Sequence, residues 1–165
     1  MKNYLLTLII GLFLIPFQSQ AQLLEVKQTV FGMDCAPCAY GLEKRIKNID
    51  GVQSASVSLN QGLLTATFEK ENTLTLQRIR EAVEQSGFKG KEANLTVTGT
   101  VTEDKDGNFV LVTGAGERFI LKAEEQSTLV NILEKKSILT VTGVAEESNG
   151  DDTILQVHSI DNSKV

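Results

Sequence analysis

The feature that most constrains the fold is a change of hydrophobic periodicity across a pair of cysteines. Before the pair, residues 24–31 alternate between apolar and polar side chains, which is typical of a β-strand. After it, Leu42 and Ile46 recur at helical spacing, and charged side chains cover the opposite side. The chain therefore predicts a strand, a loop that holds Cys35 and Cys38, and a helix.

The helix and the elements after it complete a recognisable order. Pro37 suits the first helical position, where its missing N–H costs nothing, and Asp50-Gly51 ends the helix. The following pattern predicts a strand at 52–59, a turn at 60–62, a return strand to Phe68, a helix with Thr75 as N-cap and Gly87 after its end, and a strand from about Phe88. This β-α-β-β-α-β order predicts a ferredoxin-like unit at residues 22–92.

The second half changes to strands. They are predicted at 95–102, 108–113, 117–122, 138–145 and 153–160, with a helix at 127–135 between the third and the fourth. That layout is typical of an OB-like β-barrel, which we assign to residues 93–165, after a short, stiff joint at 90–94. The similar fragments 97–99 and 141–143 are interpreted as equivalent strand ends. The expected fold class is therefore α+β.

The first 21 residues have the layout of a signal peptide. Lys2 gives a positive start, residues 5–17 are a short apolar run, and Ser19-Gln20-Ala21 offers small residues at the usual cleavage spacing. We therefore expect an exported protein, periplasmic or extracellular, without stable membrane insertion after cleavage. Export would place the two cysteines in an oxidising compartment, where they are metal-loaded, kept reduced or disulfide-bonded.

Charge separates the two halves and argues against one class of partner. Residues 22–92 carry nine acidic and nine basic side chains, whereas residues 93–165 carry twelve acidic and six basic ones. The whole net charge of the mature chain therefore lies in the second half. Nucleic-acid binding needs a basic face, so we expect no nucleic-acid partner.

A CxxC pair alone is compatible with several kinds of site. A structural zinc site needs four ligands, but the chain has only two cysteines and one histidine, His158, far away in sequence. A c-type haem site needs His where Ala39 stands. A dithiol–disulfide oxidoreductase remains open, although the chain has no proline to lie opposite the dithiol and no tryptophan. A soft metal needs only the two thiolates at the helix start.

The residues Gly32-Met33-Asp34-Cys35-Ala36-Pro37-Cys38 resemble the GMxCxxC signature of heavy-metal-associated domains. Such domains occur in copper chaperones, in N-terminal modules of metal-pumping P-type ATPases and in the periplasmic mercury-binding protein. The resemblance covers about residues 24–92, including 49–52 and 87–88. It implies a ferredoxin-like fold with Cys35 and Cys38 as metal ligands, Met33 in the core and Phe88 packed near the site. The second half resembles small exported OB-like domains in fold only.

Asp34 leaves the choice of metal open. In copper-binding members its place is often Thr or Ser, while Asp-Cys-x-x-Cys resembles modules of zinc-, cadmium- and lead-exporting ATPases. A carboxylate could be a third ligand for a divalent ion, or Asp34 could cap the helix or adjust the charge of the loop. We expect Cu(I) as the natural ion, with Zn(II), Cd(II) or Hg(II) as alternatives.

Three hypotheses for function follow. The first is an exported metallochaperone or scavenger that passes its ion to a metal transporter or another metal-binding protein. The second is a dithiol–disulfide oxidoreductase on an unusual scaffold. In the third, the OB-like unit docks a transporter while the first unit delivers the metal. The sequence shows no general base, nucleophile pair or phosphate loop, so we do not expect an enzyme.

Overall fold

The computed structural model describes residues 22–123, 138–146 and 152–161. The predicted signal peptide at 1–21 and the predicted helix at 127–135 lie outside these residues. The described elements are β1 (Leu23–Phe31), α1 (Ala36–Lys47), β2 (Val52–Ser58), β3 (Leu63–Phe68), α2 (Leu76–Glu84), β4 (Lys89–Glu103), β5 (Phe109–Val112), β6 (Arg118–Lys122), β7 (Ile138–Ala145) and β8 (Thr153–Asp161). Within the described part of the chain, no helix is long and apolar enough to cross a membrane.

The first six elements form the ferredoxin-like unit that the hydrophobic pattern predicts. Their strands follow the order β2-β3-β1-β4, and all three pairings are antiparallel. Both helices bury one apolar stripe on this sheet, because apolar side chains recur on one side of each helix. The buried helix residues are Ala39, Leu42, Ile46, Leu76, Ile79, Ala82 and Val83.

The second helix has the ends predicted for it. The Thr75 side chain accepts a hydrogen bond from the Arg78 N–H at 3.1 Å, which is an N-cap. At the other end Gly87 has a φ of +86°, a conformation that glycine adopts without a steric penalty. The Gly87 and Phe88 N–H groups donate to the carbonyls of Glu84 and Val83, so the last carbonyls of the helix are satisfied and the chain turns into β4.

One strand belongs to both halves of the molecule. β4 runs without a break for 15 residues, so the joint predicted at 90–94 is a paired strand instead of a connection. Residues 89–97 pair with β1, residues 93–100 pair with β7, and residues 100–103 pair with β5. The segment 93–97 therefore has a strand on each side. A boundary between residues 92 and 93 falls inside this strand.

The strands of the second half close on themselves through β4. β4 pairs with β5, β5 with β6, β6 in parallel with β8, β8 with β7, and β7 with β4 again. All five predicted strands are therefore present, with the first as the end of β4. The interior contains the fully buried Phe119, Leu111, Leu139 and Leu155.

The repeated fragments 97–99 and 141–143 are not strand ends, contrary to the sequence interpretation. Val97 pairs with Val141 in the middle of the β4–β7 ladder, and each fragment lies inside its strand. Gly99 and Gly143 stand where a neighbouring strand leaves no room for a Cβ atom. A Cβ on Gly143 would lie against the backbone carbonyl of Gln156, and one on Gly99 would lie 2.6 Å from the Val112 carbonyl oxygen. Glycine permits these close approaches where the strands bend to close the circuit.

Two side chains connect the halves at α2. The Glu117 carboxylate, from the turn before β6, accepts hydrogen bonds from the Leu76 N–H at 2.9 Å and the Gln77 N–H at 3.2 Å. These N–H groups open α2 and have no partner within the helix. Arg80, one turn further on, donates to the Glu146 carbonyl at 2.9 Å. The barrel thus holds α2 at its start and along its side.

Candidate metal-binding site

The CxxC loop is fixed at both of its ends by ordinary backbone chemistry. It leaves β1 through Gly32, whose φ of +89° is in the left-handed region where glycine has no Cβ penalty. Met33 follows and is buried at 7 % exposure in the core cluster, so the role implied for it by the resemblance is confirmed. The loop then enters α1 at Ala36.

Cys35 itself caps the helix. Its backbone is extended, with φ −139° and ψ 146°, and its Sγ accepts a hydrogen bond from the Cys38 N–H at 3.2 Å. Ala36 is therefore the first helical residue, and Pro37 is second, one position later than predicted. The missing N–H of Pro37 still costs nothing, because the first four N–H groups of a helix have no intrahelical acceptor.

The two sulfurs lie together at the positive end of α1. Cys35 and Cys38 form a disulfide, with their Cα atoms 5.2 Å apart, and both residues are half-buried. Reduction would leave two thiolates at the helix N-terminus, where the helix dipole and the unpaired N–H groups favour negative charge. Neighbouring thiolates of this kind are soft ligands.

Asp34 is exposed beside the pair. It does not cap α1, because Cys35 occupies the N-cap. The alternative that Asp34 is a helix cap is therefore wrong, and the physical reason is that the chain turns into the helix one residue later. The described residues contain no group of three or more His, Cys, Asp and Glu side chains arranged to hold a metal ion. His158 is exposed on β8, in the other half of the molecule.

Two exposed aromatic side chains flank the loop, and sequence reasoning did not single them out. Phe31 ends β1 at 66 % exposure, and Tyr40, two residues after Cys38, is 67 % exposed. The Lys91 Nζ lies 5.8 Å from the centre of the Phe31 ring, within the range of a cation–π contact. The exposure of Phe31 could have been predicted from strand alternation, because Val30 points into the core and the next side chain must point outward.

The helix that carries the cysteines is also tied to the edge of the sheet. Glu43 accepts hydrogen bonds from Lys47 Nζ at 2.7 Å and from the Val57 N–H at 3.1 Å. The hydrogen bond from Lys47, and then that from Val57, lowers the pKa of Glu43. β2 is the edge strand, so Glu43 satisfies an N–H that the sheet leaves unpaired.

The loop and the barrel lie toward opposite ends of the β1–β4 pair. Phe31, next to the loop, pairs with Lys89 at the start of β4, whereas Leu23 pairs with Val97, where β4 continues into the barrel. Phe88 precedes that start and is half-buried against the core. Its packing near the sulfurs stays a prediction. The cysteine pair is therefore at the end of the unit that is remote from the barrel strands.

Comparison with known proteins matches this half of the chain to one family. The family model for the "Heavy-metal-associated domain" matches residues 28–89. Copper chaperone CopZ of Staphylococcus aureus is 32% identical over 59 residues, which cover 36% of this chain and 85% of CopZ. An uncharacterized protein of Haemophilus influenzae is 29% identical over 94 residues, covering 57% of this chain and 100% of that protein.

Longer proteins match over the same length. Human copper-transporting ATPase 2 is 36% identical over 59 residues, and the chain spans only 4% of that ATPase. Among solved structures, a CopZ metallochaperone is 29% identical, with 40% of this chain and 97% of that chain covered and a TM-score of 0.38. The matched residues contain the glycine turn, the buried methionine and both cysteines described above. Through residues 28–89, this chain belongs to the heavy-metal-associated domain family.

Proposed function

We propose that this protein is an exported metallochaperone or scavenger, which holds one soft metal ion between Cys35 and Cys38 and passes it to a partner. The observation that carries the proposal is the position of the two sulfurs. They are half-buried at the N-terminus of α1, at the end of the unit remote from the barrel strands. An ion bound there stays within reach of the ligands of a second protein.

Cu(I) is the ion that this donor set favours. It is soft, it accepts two thiolates in near-linear geometry, and it needs no further protein ligand. Zn(II) prefers four ligands, and two cysteines supply half of them. The named relatives support the same choice, since a copper chaperone and a copper-transporting ATPase are each similar to this chain over 59 residues. A third cysteine that could nucleate a metal cluster does not exist in the chain.

The partner we propose is a metal transporter or another metal-binding protein. Transfer between two such sites requires the thiolates of the partner to replace those of the donor one at a time, so the loop must remain approachable. The exposed Phe31 and Tyr40 beside the loop offer apolar contact area for such an encounter. The chain does not itself catalyse a reaction in this proposal.

The proposed export rests on the predicted leader at residues 1–21, and it sets a requirement for the site. In an oxidising compartment the vicinal dithiol forms a disulfide unless a bound metal or a reductant keeps the two thiols reduced. Loading with Cu(I) therefore needs the reduced form, and metal binding in turn protects that form from oxidation. We propose the second half, residues 93–165, as an OB-like barrel that supports the metal unit and docks a transporter.

The disulfide is a specific observation in favour of a second candidate function, dithiol–disulfide exchange. The same two sulfurs at a helix N-terminus would serve as its reactive pair. The two candidates differ in a measurable way. A metallochaperone retains its ion against a low-molecular-weight thiol, whereas an oxidoreductase catalyses the reduction or isomerisation of protein disulfides.

Anaerobic titration of the reduced mature chain with Cu(I), Zn(II), Cd(II) and Hg(II), in competition with one another, tests the proposal. We expect one Cu(I) per chain. Cys35→Ser and Cys38→Ser should each weaken binding more than about 100-fold, equivalent to about 2.8 kcal/mol, because each removes one of two ligands. Ala36→Ser is the matched control, since it changes an exposed residue between the cysteines and keeps both sulfurs. Undiminished affinity in either cysteine variant would contradict the assignment.

Asp34→Ala tests the choice between monovalent and divalent ions. If the Asp34 carboxylate assists a divalent ion, the substitution should weaken Zn(II) and Cd(II) binding by about tenfold, or 1.4 kcal/mol. Cu(I) affinity should change little, because a hard oxygen adds little to a soft ion already held by two thiolates. Zinc binding equal to that of the wild type would remove the support for the divalent alternative.

A further inference from the structure

The residue that would begin the mature chain is bound at a specific place in the fold. Gln22 precedes β1, and with residue 21 still attached only 3 % of its surface is exposed. Its N–H donates to Thr98 Oγ1 at 2.9 Å, and its carbonyl accepts from the Thr98 N–H at 2.8 Å and from Thr98 Oγ1 at 3.1 Å. Its side-chain Oε1 accepts from the Asn72 N–H at 3.1 Å. Within the described residues, the hydrogen-bond partners of Gln22 are therefore neutral groups of Thr98 and Asn72.

This surrounding suits a neutral nitrogen with a single hydrogen. The Thr98 hydroxyl donates to the Gln22 carbonyl and accepts from the Gln22 nitrogen, so one N–H is matched to one lone pair. Thr98 is itself 2 % exposed. If the leader is removed after Ala21, as proposed above, that nitrogen becomes an α-ammonium group with three N–H donors and a charge. Burying a charge without an ionic partner is strongly unfavourable.

We propose that Gln22 is a modification site, at which the new N-terminus cyclises to pyroglutamate. The neutral α-amine of Gln22 attacks its own side-chain carbonyl carbon, Cδ. An N–Cδ bond forms, the Cδ–Nε2 bond breaks, and Nε2 leaves as ammonia with the proton that the amine gives up. Nothing is oxidised or reduced, and no co-reactant is consumed.

The product matches the binding place better than the free amine does. A five-membered lactam keeps one N–H and one ring carbonyl, which are the same kinds of donor and acceptor that Gln22 presents to Thr98 and Asn72 in this structure. It carries no charge, and burial favours the uncharged amine that performs the attack. Because Thr98 lies on the strand shared by both halves, the lactam would fasten the first residue of the metal unit to that strand.

The inference rests on the proposed export, so the test uses the exported protein. The full chain with residues 1–21 is expressed in an exporting bacterial host, and the exported form is examined by intact mass and by sequencing of its N-terminal peptide. We expect a chain that begins at residue 22 and is lighter by one ammonia than the free-glutamine form. A free Gln22 amine, or an N-terminus at another residue, would overturn the inference.

A second comparison tests the binding place itself. The free-amine form is prepared in the cytoplasm from a cleavable tag that leaves Gln22 first, and its thermal unfolding is compared with that of the cyclised form. We expect the cyclised form to unfold at the higher temperature, with the difference retained in Thr98→Ser and reduced in Thr98→Val. Equal unfolding temperatures would overturn the role of Thr98. Metal titration of both forms gives the same Cu(I) stoichiometry if the proposed function holds, so the two proposals fail separately.

Discussion

The two ends of the metal-binding unit are built in different ways. At the CxxC end the side chains are approachable: the two cysteines are half-buried, and Phe31 and Tyr40 are about two-thirds exposed. At the other end, β1 begins at Leu23, which is fully buried and pairs with Val97 of the shared strand. Two further hydrogen bonds stabilise that end: Asn72 donates to the Leu23 carbonyl, and the Leu76 N–H donates to Glu117. The buried contacts are thus concentrated away from the residues that would meet a partner in the proposed function.

This difference explains how a small unit can carry an open reactive loop. A loop that exchanges metal needs exposed ligands and therefore contributes little buried surface. The remote end supplies that surface, and β4 connects it to the barrel interior, so that the buried residues of both halves form one core. If this is correct, damage at the remote end should reduce stability strongly and change metal affinity weakly, while damage at the loop should do the reverse.

The largest effect should come from where the chain is cut. A fragment of residues 22–92 loses the β4 residues that pair with Leu23–Gln28, including the buried Leu95 and Val97. Burying one such side chain contributes about 1.5–3 kcal/mol, which is a large part of the stability of a small domain. We expect that fragment to lack a cooperative unfolding transition, and a fragment of residues 22–98 to show one and to bind Cu(I).

Circular dichroism during urea denaturation, followed by Cu(I) titration, checks both fragments. A folded 22–92 fragment with full Cu(I) affinity would show that the remote part of β4 is dispensable. An unfolded 22–98 fragment would show that the metal unit needs the barrel and not only the shared strand. The first result would reduce the stabilising role that we assign to the remote end, and the second would extend that role to the barrel.

A matched pair of glycine substitutions separates barrel packing from the metal unit. Gly143→Ala places a Cβ against the backbone carbonyl of Gln156, which cannot move without disturbing the β7–β8 ladder. We expect a loss of more than about 3 kcal/mol in the free energy of unfolding. Gly41→Ala, in α1, meets no atom within 4 Å and should stabilise the protein by about 1 kcal/mol through helix propensity.

Both variants are compared with the wild type by chemical denaturation, with metal affinity measured in parallel. Reduced Gly143→Ala protein that remains folded should bind Cu(I) as the wild type does, since the cysteines are at the other end. A loss of Cu(I) affinity proportional to the loss of stability would show that the barrel controls the loop, and the separation of roles would then be wrong.

Substitution of Glu117 should have a smaller effect. Glu117→Ala removes the partner of two N–H groups at the start of α2, which should cost about 1–2 kcal/mol. Burial raises the pKa of Glu117 above its ordinary value of 4.5, and the hydrogen bonds from Leu76 and Gln77 and the charge of Arg80 offset only part of this.

The contribution of Glu117 to the free energy of unfolding depends on pH with a definite sign. Because the pKa of Glu117 is raised by folding, its favourable contribution is fully present below the unfolded pKa and is lost as the pH rises through the folded pKa. Glu117→Gln has no such titration. The stability of the wild type relative to Glu117→Gln should therefore fall as the pH is raised from about 4 toward neutrality. Urea denaturation at several pH values measures this, and a constant difference would contradict the buried state of the carboxyl.

The local parts of the site could be predicted from sequence. Gly32, Pro37 and the apolar stripe of α1 act through bonds and contacts within a few residues, so their pattern already contains the structural information. The same is true of Thr75 as an N-cap and of Gly87 after the helix. The cap of α1 was assigned less well, because a cysteine sulfur is a weak acceptor and sequence rules favour Asp at that place.

Contacts between distant residues could not be predicted in this way. Glu117 and Leu76 are 41 positions apart, and Gln22 and Thr98 are 76 apart. Nothing in the neighbourhood of any of these residues in sequence indicates its partner. Tyr40 was also missed, because a single exposed Tyr on a helix has the same sequence pattern as one that packs on a neighbouring element, whereas the alternation of β1 already indicates that Phe31 points outward.

The sequence by itself determined the order of the helices and strands that the structure describes, the position of the cysteine pair at a helix start and the family of the metal unit. Each of these depends on periodicity and on a short motif, which are properties of neighbouring residues. Only the tertiary structure decided that residues 89–103 form one strand serving both halves, that the close backbone of β8 requires glycine at position 143, and that Glu117 accepts hydrogen bonds from the start of α2. Strand sharing depends on which edges meet after the chain has folded, and hydrophobic alternation is the same whether a strand has one neighbour or two.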